Sequence, residues 1–170
     1  MNYCILGENN VIENIIVCGD GETAALFGVV ASYDGAKIGD VYAPPASDEN
    51  KAARIQQSKT DLANFLAAHP LQWTDGQYYN ITAEKQAQLT SKIMAATMAQ
   101  TLSQPYTLTW NSTGEICTEW TLSDLSALAF AIDQRVTALV SYQQEQEVAI
   151  RNAQTQEELD AIEVDYDSVQ

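Results

Sequence analysis

The stretch "LSDLSALAFAIDQRVTALVSYQQEQEVAIRN", residues 122–152, decides the fold of this chain. Its apolar residues recur at positions i, i+3, i+4 and i+7, which is the spacing of one face of an α-helix. We therefore predict a helix over residues 122–152 whose apolar stripe forms the backbone of the core. The stripe consists of Leu125, Leu128, Ala129, Ile132, Val136, Leu139 and Val140.

Two more helices precede this one. In residues 47–69, Ser47 or Asp48 can cap a helix whose stripe fits either a packed surface helix or a self-associating linker helix. That stripe consists of Ala52, Ile55, Leu62, Phe65 and Leu66. Thr82 is predicted to cap a helix over residues 83–102 that packs on the 122–140 stripe. Its candidates for burial are Ile93, Met94, Ala96 and Met98.

Three hairpins are predicted from turn chemistry. The first joins "YCIL" to "VIENIIVC" through residues 7–10, and a short helix that ends at Gly28 follows it. The second lies in "LQWTDGQYYNI" and turns at Asp75-Gly76, and in the third "YTLTW" and "EICTEW" flank "NSTG". Pro44-Pro45 marks a boundary, because proline interrupts regular structure. Near the C-terminus, Thr155 and Glu158 have the spacing of a capping box, and the acidic tail "EVDYDSVQ" is predicted to be extended.

Together these elements predict a helix-rich α+β fold in three parts. Residues 1–45 form a small module of a β-hairpin and a helix, residues 46–69 a linking helix, and residues 70–170 a helical domain with two β-hairpins. A core of about 45 residues alone is marginal, so we expect the N-terminal module to lean on a partner or another copy.

The balance of charge narrows the classes of partner. The chain has 8 Lys and Arg against 23 Asp and Glu, a net charge of −15, and no basic cluster. Binding to phosphate backbones depends on clustered cations, so we expect neither nucleic acid nor an anionic membrane as a partner.

No apolar run approaches the ~20 residues that span a bilayer. Cys4, Cys18 and Cys117 form no CxxC pair, which favours buried free thiols and a cytoplasmic location.

The sequence predicts no catalytic residue, no metal site and no cofactor. His69 is the only histidine and no motif supplies it with a nucleophile, so we interpret it as a residue that favours a helix C-terminus. "GDGETAALFG" lacks the lysine of a phosphate-binding loop, and "EELDAIEVDYD" lacks the spacing of a calcium loop.

Aromatic and amide side chains are the candidates for partner contact. Half of the aromatic residues in alternating strands should point inward, so core packing is the first interpretation, and a contact patch is the second. The adjacent amides on the long helix fit either a polar face or hydrogen bonds between chains. The candidates are Trp73, Tyr78, Tyr79, Trp110, Trp120, Tyr142, Gln143 and Gln144.

Residues 69–166 carry a series of motifs: W-T-D-G-x-x-Y, T-x-E-x-Q at a helix start, L-x-W before a hairpin, and V-x-x-Q-Q-x-x-x-x-A-I followed by T-x-E-E-L. In this order and spacing they resemble the DUF4376 family, a domain of unknown function found in phage and prophage tail-fibre and tail-assembly genes. Residues 10–45 resemble, more weakly, the start of small phage tail-associated proteins.

The resemblance implies a non-enzymatic bacteriophage protein that binds tail or tail-fibre subunits, as a tail-fibre component or an assembly factor. It further implies a homo-oligomer, with a trimer as the form common in fibres, located in the bacterial host cytoplasm during assembly or in the virion tail. The alternatives are a structural virion subunit that forms an oligomeric tail tip or attachment collar, and a module that binds host glycans. A hydrolase is disfavoured, because no carboxylate-pair or histidine motif stands out.

Overall fold

The computed structural model describes residues 1–169 and confirms the helix-rich α+β fold. In chain order, the strands are β1 (Asn2–Leu6), β2 (Ile12–Val17), β3 (Val30–Ala31), β4 (Leu71–Gln72), β5 (Tyr78–Tyr79), β6 (Thr109–Trp110) and β7 (Thr118–Glu119). The α-helices are α1 (Gly21–Leu26), α2 (Asp48–Ala68), α3 (Ala83–Thr101), α4 (Leu122–Asn152) and α5 (Gln156–Asp160). Short 3₁₀ turns cover Glu8–Asn10 and Tyr166–Ser168.

The chain divides into two compact units. The first, unit 1, contains Met1–Ala53 and Ala149–Glu163, and the second, unit 2, contains Arg54–Val148 and the segment that begins at Val164. The division falls inside α2 and inside α4, and it groups residues 149–163 with the N-terminal part of the chain. A contribution of the C-terminal region to the N-terminal unit was not part of the sequence-based prediction.

Unit 1 is built on a three-stranded antiparallel sheet in the order β2-β1-β3. Its hairpin turn is tight enough that Asn9 and Asn10 both adopt φ 59°, a region that asparagine tolerates better than most residues. The carboxylate of Asp20 caps α1 by accepting the Thr23 N–H at 2.7 Å, and Gly28, with φ +61°, follows the helix end at Leu26 by two residues. The predicted hairpin and helix are therefore both present.

The capping box predicted before α5 is confirmed. The Thr155 hydroxyl accepts the Glu158 N–H at 3.2 Å, and the Glu158 carboxylate accepts the Thr155 N–H at 3.4 Å. These two bonds satisfy backbone donors that the first turn of a helix leaves without partners.

Unit 2 is organised around α4, which has the bounds that its apolar period predicts. Leu125, Leu128 and Leu139 are each 0% exposed and Ile132 is 3% exposed. They form one core cluster with residues of α2, α3, both hairpins and the C-terminal segment: Leu66, Leu89, Tyr79, Trp110 and Tyr166. The apolar stripe is thus the centre of the core of this unit.

The predicted burial of Met94 and Met98 on α3 is wrong. They are 59% and 60% exposed, whereas Leu89 is 2% exposed and Ile93 and Ala96 pack against the core. At about 100° per residue, Leu89, Ile93 and Ala96 share one face, and Met94 and Met98 lie on the opposite one. Both faces of α3 carry apolar residues, so its periodicity alone did not identify the inner face.

The prediction of an extended C-terminal tail is also wrong. Residues 164–169, which we call the C-terminal strap, contain a 3₁₀ turn, and Tyr166 is 5% exposed within the core of unit 2. The Tyr166 hydroxyl donates to the Ser58 carbonyl oxygen at 2.8 Å, and the Asp165 N–H donates to the Tyr142 hydroxyl at 3.0 Å. The sequence did not indicate that this strap is buried, because acidic residues surround its one aromatic residue, Tyr166, along the chain.

The cysteines divide into two classes. Cys4 and Cys18 are buried free thiols, as their strand sequences predict, but Cys117 is exposed. Cys117 lies in the loop of the third hairpin just before β7, outside the short ladder, so the alternation of that sequence did not place it in the core.

Candidate functional site

The first hairpin of unit 2 is fixed by Asp75 at its turn. One oxygen of the Asp75 carboxylate accepts the Gln77 N–H at 2.9 Å, and the other accepts the Tyr79 hydroxyl at 2.7 Å. The turn is completed by Gly76, whose φ of +82° lies in the region that glycine adopts most readily. This hairpin therefore holds Trp73 and Tyr79 in defined positions on either side of the turn.

The second hairpin of this unit is joined to the first by its backbone. The Thr113 N–H donates to the Tyr78 carbonyl oxygen of the first hairpin at 2.7 Å, and within the second hairpin the Trp120 N–H donates to the Leu108 carbonyl oxygen at 2.9 Å. The ring of Trp120 meets the ring of Tyr79 edge-on, with centroids 5.7 Å apart and planes at 90°, a geometry that aromatic pairs prefer. Residues about forty positions apart are thus brought into one site.

The start of α4 closes the site on a third side. The Thr121 hydroxyl accepts the Asp124 N–H at 3.1 Å and donates to the Asp124 carboxylate at 2.7 Å. This arrangement caps the helix and holds the Asp124 carboxylate at the end where the helix dipole favours negative charge.

Between these three elements lies an open groove of about 840 Å³, which we call the hairpin groove. Its walls include the aromatic residues Trp73, Tyr79 and Trp120, of which both tryptophans are half-buried and Tyr79 is 3% exposed. Ile116 also lines the groove and is 82% exposed. An isoleucine this exposed beside aromatic side chains forms an uncovered apolar surface.

The charges of the hairpin groove have one sign. Its lining includes the carboxylates of Asp75, Glu115, Glu119 and Asp124, and among the described residues that line it there is no Lys, Arg or His. Asp75 and Asp124 are held by the hydrogen bonds given above. Across residues 1–169, the carboxylates of Glu115 and Glu119 form no hydrogen bond or ion pair.

The hydroxyl of Tyr79 is perturbed by its surroundings. Burial, together with the hydrogen bond to the Asp75 carboxylate and its negative charge, raises the pKa of Tyr79 from 10.0 to about 12. All three effects favour the neutral phenol, because a buried phenolate is poorly solvated, cannot donate the hydrogen bond and is repelled by the carboxylate.

Asp75→Asn is therefore expected to lower the pKa of Tyr79, while burial keeps it above 10.0. Because folding raises this pKa, the stability contributed by neutral Tyr79 is complete below pH 10 and is lost as the pH rises towards about 12. The measurement is an ultraviolet titration of tyrosinate in the wild-type and Asp75→Asn chains, each compared with its Tyr79→Phe derivative. A pKa that is the same in both chains would contradict the role given to Asp75.

A second groove, of about 610 Å³, lies between α3 and the second hairpin. Trp110, Lys85 and Lys92 line it, and the Lys85 ammonium lies 5.4 Å from the centroid of the Trp110 ring. This contact is a cation–π interaction that belongs to the packing of Trp110, whose side chain is 5% exposed.

The eight candidate contact residues are placed in different environments. Trp73 and Trp120 are half-buried in the walls of the hairpin groove, and Tyr79 and Trp110 are core residues. Tyr78, at 50% exposed, and Gln144 face solvent, whereas Tyr142 is half-buried and binds the strap through its hydroxyl. The Gln143 side chain, 5% exposed, donates to the Ser58 hydroxyl at 3.2 Å, so its amide is occupied inside unit 2.

In comparisons with protein-family models, curated proteins and solved structures, no match was found.

The environment of His69 is that of a helix terminus. Its Nδ1 lies 2.9 Å from the Phe65 carbonyl oxygen and its ring stacks on Phe65 at 4.0 Å. Nε2 is 3.9 Å from a carboxylate oxygen of Asp167.

Within residues 1–169, no group of three or more His, Cys, Asp or Glu side chains is arranged to hold a metal ion. No helix in that range combines the length and apolar character needed to cross a bilayer.

Ile116, Glu115 and Glu119 were not among the contact residues predicted from the sequence. A weak signal was present, since "EIC" places a branched apolar residue next to a charged one at the start of a predicted strand. The site arises only when the two hairpins and the start of α4 meet.

Proposed function

We propose that this chain is a non-enzymatic bacteriophage tail-associated protein that binds tail or tail-fibre subunits, as a fibre component or an assembly factor. The phage context rests on the motifs of residues 69–166. The observation that supports a binding role is an exposed apolar face formed by α3 and the residue that follows it, which we call the α3 stripe: Met94, Met98 and Leu102, at 59%, 60% and 63% exposed.

The α3 stripe has the spacing of a helix that packs on a partner. Its members are four residues apart, so they lie on one face of the helix, opposite the face that contacts the core. Methionine suits an interface, because its flexible thioether adapts to irregular surfaces. Three apolar side chains aligned on one exposed helix face favour a protein-binding function, whereas single exposed apolar residues are common on any surface.

The high negative charge is consistent with an assembly factor. A binder that covers an apolar or β-edge surface of an immature fibre must keep the complex in solution. A net charge of −15 opposes self-association of such complexes through repulsion.

Mass spectrometry of purified particles, from a phage or lysogen that carries this gene, tests the proposal together with a pull-down from the lysate. We expect the chain either in particles, in a fixed multiple of three or six copies, or in the lysate bound to fibre protein. The first result identifies a structural subunit and the second an assembly factor. Absence from both would refute a tail-associated function.

The same pull-down tests the α3 stripe. Met94→Glu combined with Met98→Glu is expected to reduce the recovered partner by about tenfold, because charge in an apolar contact leaves a desolvated carboxylate without a partner. The matched control is Thr90→Glu combined with Thr97→Glu, which adds the same charge at exposed positions of α3. Equal recovery with both variants would exclude the α3 stripe as the contact.

A further inference from the structure

We infer that the hairpin groove is a docking site for a lysine- or arginine-bearing segment of a partner protein. This inference rests on the proposed binding function and adds a second contact site, the chemistry of its occupant and the residues that select it. Three observations support it. The groove is open and has a volume of about 840 Å³, the charged side chains that line it are all carboxylates, and one apolar side chain of its lining, Ile116, is exposed.

The hairpin groove is built before any partner arrives. Asp75 is fixed by two hydrogen bonds, Asp124 by its cap with Thr121, and the two hairpins by the Thr113–Tyr78 backbone bond at 2.7 Å. A preformed groove lowers the entropy that association must overcome, because these side chains are ordered already.

Charge complementarity selects a cationic occupant. Glu115 and Glu119 carry carboxylates without partners within the described chain, and Asp75 and Asp124 add negative charge to the same groove. A lysine or arginine in the groove neutralises part of this negative charge and gains charge-assisted hydrogen bonds. The charge of the whole chain, −15, attracts such a segment over a longer distance and repels an acidic one.

The apolar part of the groove suits the rest of such a segment. Lysine and arginine place aliphatic stems against aromatic surfaces while their charged ends remain polar, and a guanidinium or ammonium is attracted by an indole face. Trp73 and Trp120 offer the aromatic surface, and Ile116, at 82% exposed, offers an aliphatic contact in the same groove.

A sugar ring fits these walls less well than a peptide. Both tryptophans pack against the core, and the edge-on contact at 5.7 Å covers a face of one ring in the Tyr79–Trp120 pair. The aromatic surface that remains can contact a cation or an aliphatic stem, but a sugar would leave the carboxylates of the groove without a cationic partner, whereas a branched aliphatic side chain such as Ile116 is an ordinary contact for a peptide. The lining therefore favours a protein segment.

The test is titration of the full chain, labelled with ¹⁵N, with three synthetic peptides of twelve residues. Every peptide contains two leucines, and glycine and serine fill all but four of the other positions. Those four are lysines in the first peptide, glutamines in the second and glutamates in the third. We expect saturable shifts of the amide signals of Trp73, Ile116 and Trp120 with the lysine peptide, and affinity about tenfold lower for the glutamine peptide. Absence of saturable binding of the lysine peptide would overturn the inference.

Two pairs of charge-reversing substitutions distinguish the effect of the groove carboxylates on peptide binding from the effect of the net charge of the chain. Glu115→Lys with Glu119→Lys is expected to weaken binding of the lysine peptide about tenfold. The control, Asp133→Lys with Glu145→Lys, makes the same change in net charge at exposed positions of α4 and should weaken it less than about twofold. Equal weakening by both pairs would reduce the effect to net charge and refute the site.

Glu115→Gln with Glu119→Gln provides a milder variant should the reversal disturb the hairpin, with an expected loss of about threefold. If maltohexaose shifts the same amide signals and the lysine peptide does not, the inference is overturned and the groove binds a glycan. These measurements use the isolated chain, so they are independent of the particle experiment. Peptide binding without any tail association refutes the tail function alone, and tail association without peptide binding refutes only the groove.

Discussion

Replacement of Tyr166 by alanine is expected to lower the free energy of unfolding of unit 2 by about 3–5 kcal/mol, as for other buried aromatic residues. The ring is 5% exposed and lies 5.6 Å from the ring of Tyr142 and 5.8 Å from that of Phe65. Its removal leaves a cavity under the C-terminal strap, and the hydrogen bond to the Ser58 carbonyl oxygen is lost as well. The strap then keeps the packing of Val164 and Val169 against the core and the hydrogen bond of Asp165 with Tyr142.

Urea unfolding followed by tryptophan fluorescence measures this effect, since all three tryptophans of the chain lie in unit 2. Tyr166→Phe keeps the ring and should cost about 1 kcal/mol for the hydrogen bond. Tyr106→Ala is the surface control, since this tyrosine is 44% exposed, and it should stay within about 0.5 kcal/mol of wild type. A Tyr166→Ala chain as stable as the control would show that the strap is not part of the core.

Leu128→Ala on α4 is expected to cost a similar amount, about 3–5 kcal/mol, because the side chain is 0% exposed at the centre of the core cluster. The loss combines the transfer free energy of the missing methyl and methylene groups with the cavity that neighbouring helices and hairpins do not fill. Urea unfolding followed by tryptophan fluorescence measures this effect as well. An unchanged slope of the free energy of unfolding against urea concentration would indicate that the folded state is otherwise intact.

Phe130→Ala is the matched control two residues further along α4. Phenylalanine is the larger side chain, but here it is 64% exposed, so its removal should change the free energy of unfolding by less than about 0.5 kcal/mol. If Phe130→Ala cost more than Leu128→Ala, the inward face of α4 would be assigned wrongly and the packing of unit 2 with it.

Local signals in the sequence were sufficient for most elements. Thr82, Asp75-Gly76 and the Thr155–Glu158 pair each act within a few residues, through a cap, a turn or a capping box, so the structure forms there as predicted. The long apolar period of residues 122–152 was sufficient for α4, since a repeat sustained over many turns leaves one face for the core.

Predictions failed where two solutions were locally equivalent. α3 has apolar residues on two faces, and only contact with the rest of unit 2 made Leu89, rather than Met94, the buried one. The strap contains one tyrosine among carboxylates, and its burial depends on Ser58 and Phe65, which lie about a hundred residues earlier in the chain.

The candidate site shows the same division. Trp73, Tyr79 and Trp120 could be named from the sequence because large aromatic residues near turns are scarce and conspicuous. The one local signal at Glu115 and Ile116, an apolar residue beside a charged one, did not indicate that they would line the same groove. By itself, the sequence determined the helices, the hairpins, the caps and the excess of negative charge, because these depend on neighbours along the chain. Tertiary structure alone decided which side chains were buried and which lined the hairpin groove, because both depend on contacts between segments far apart in the chain.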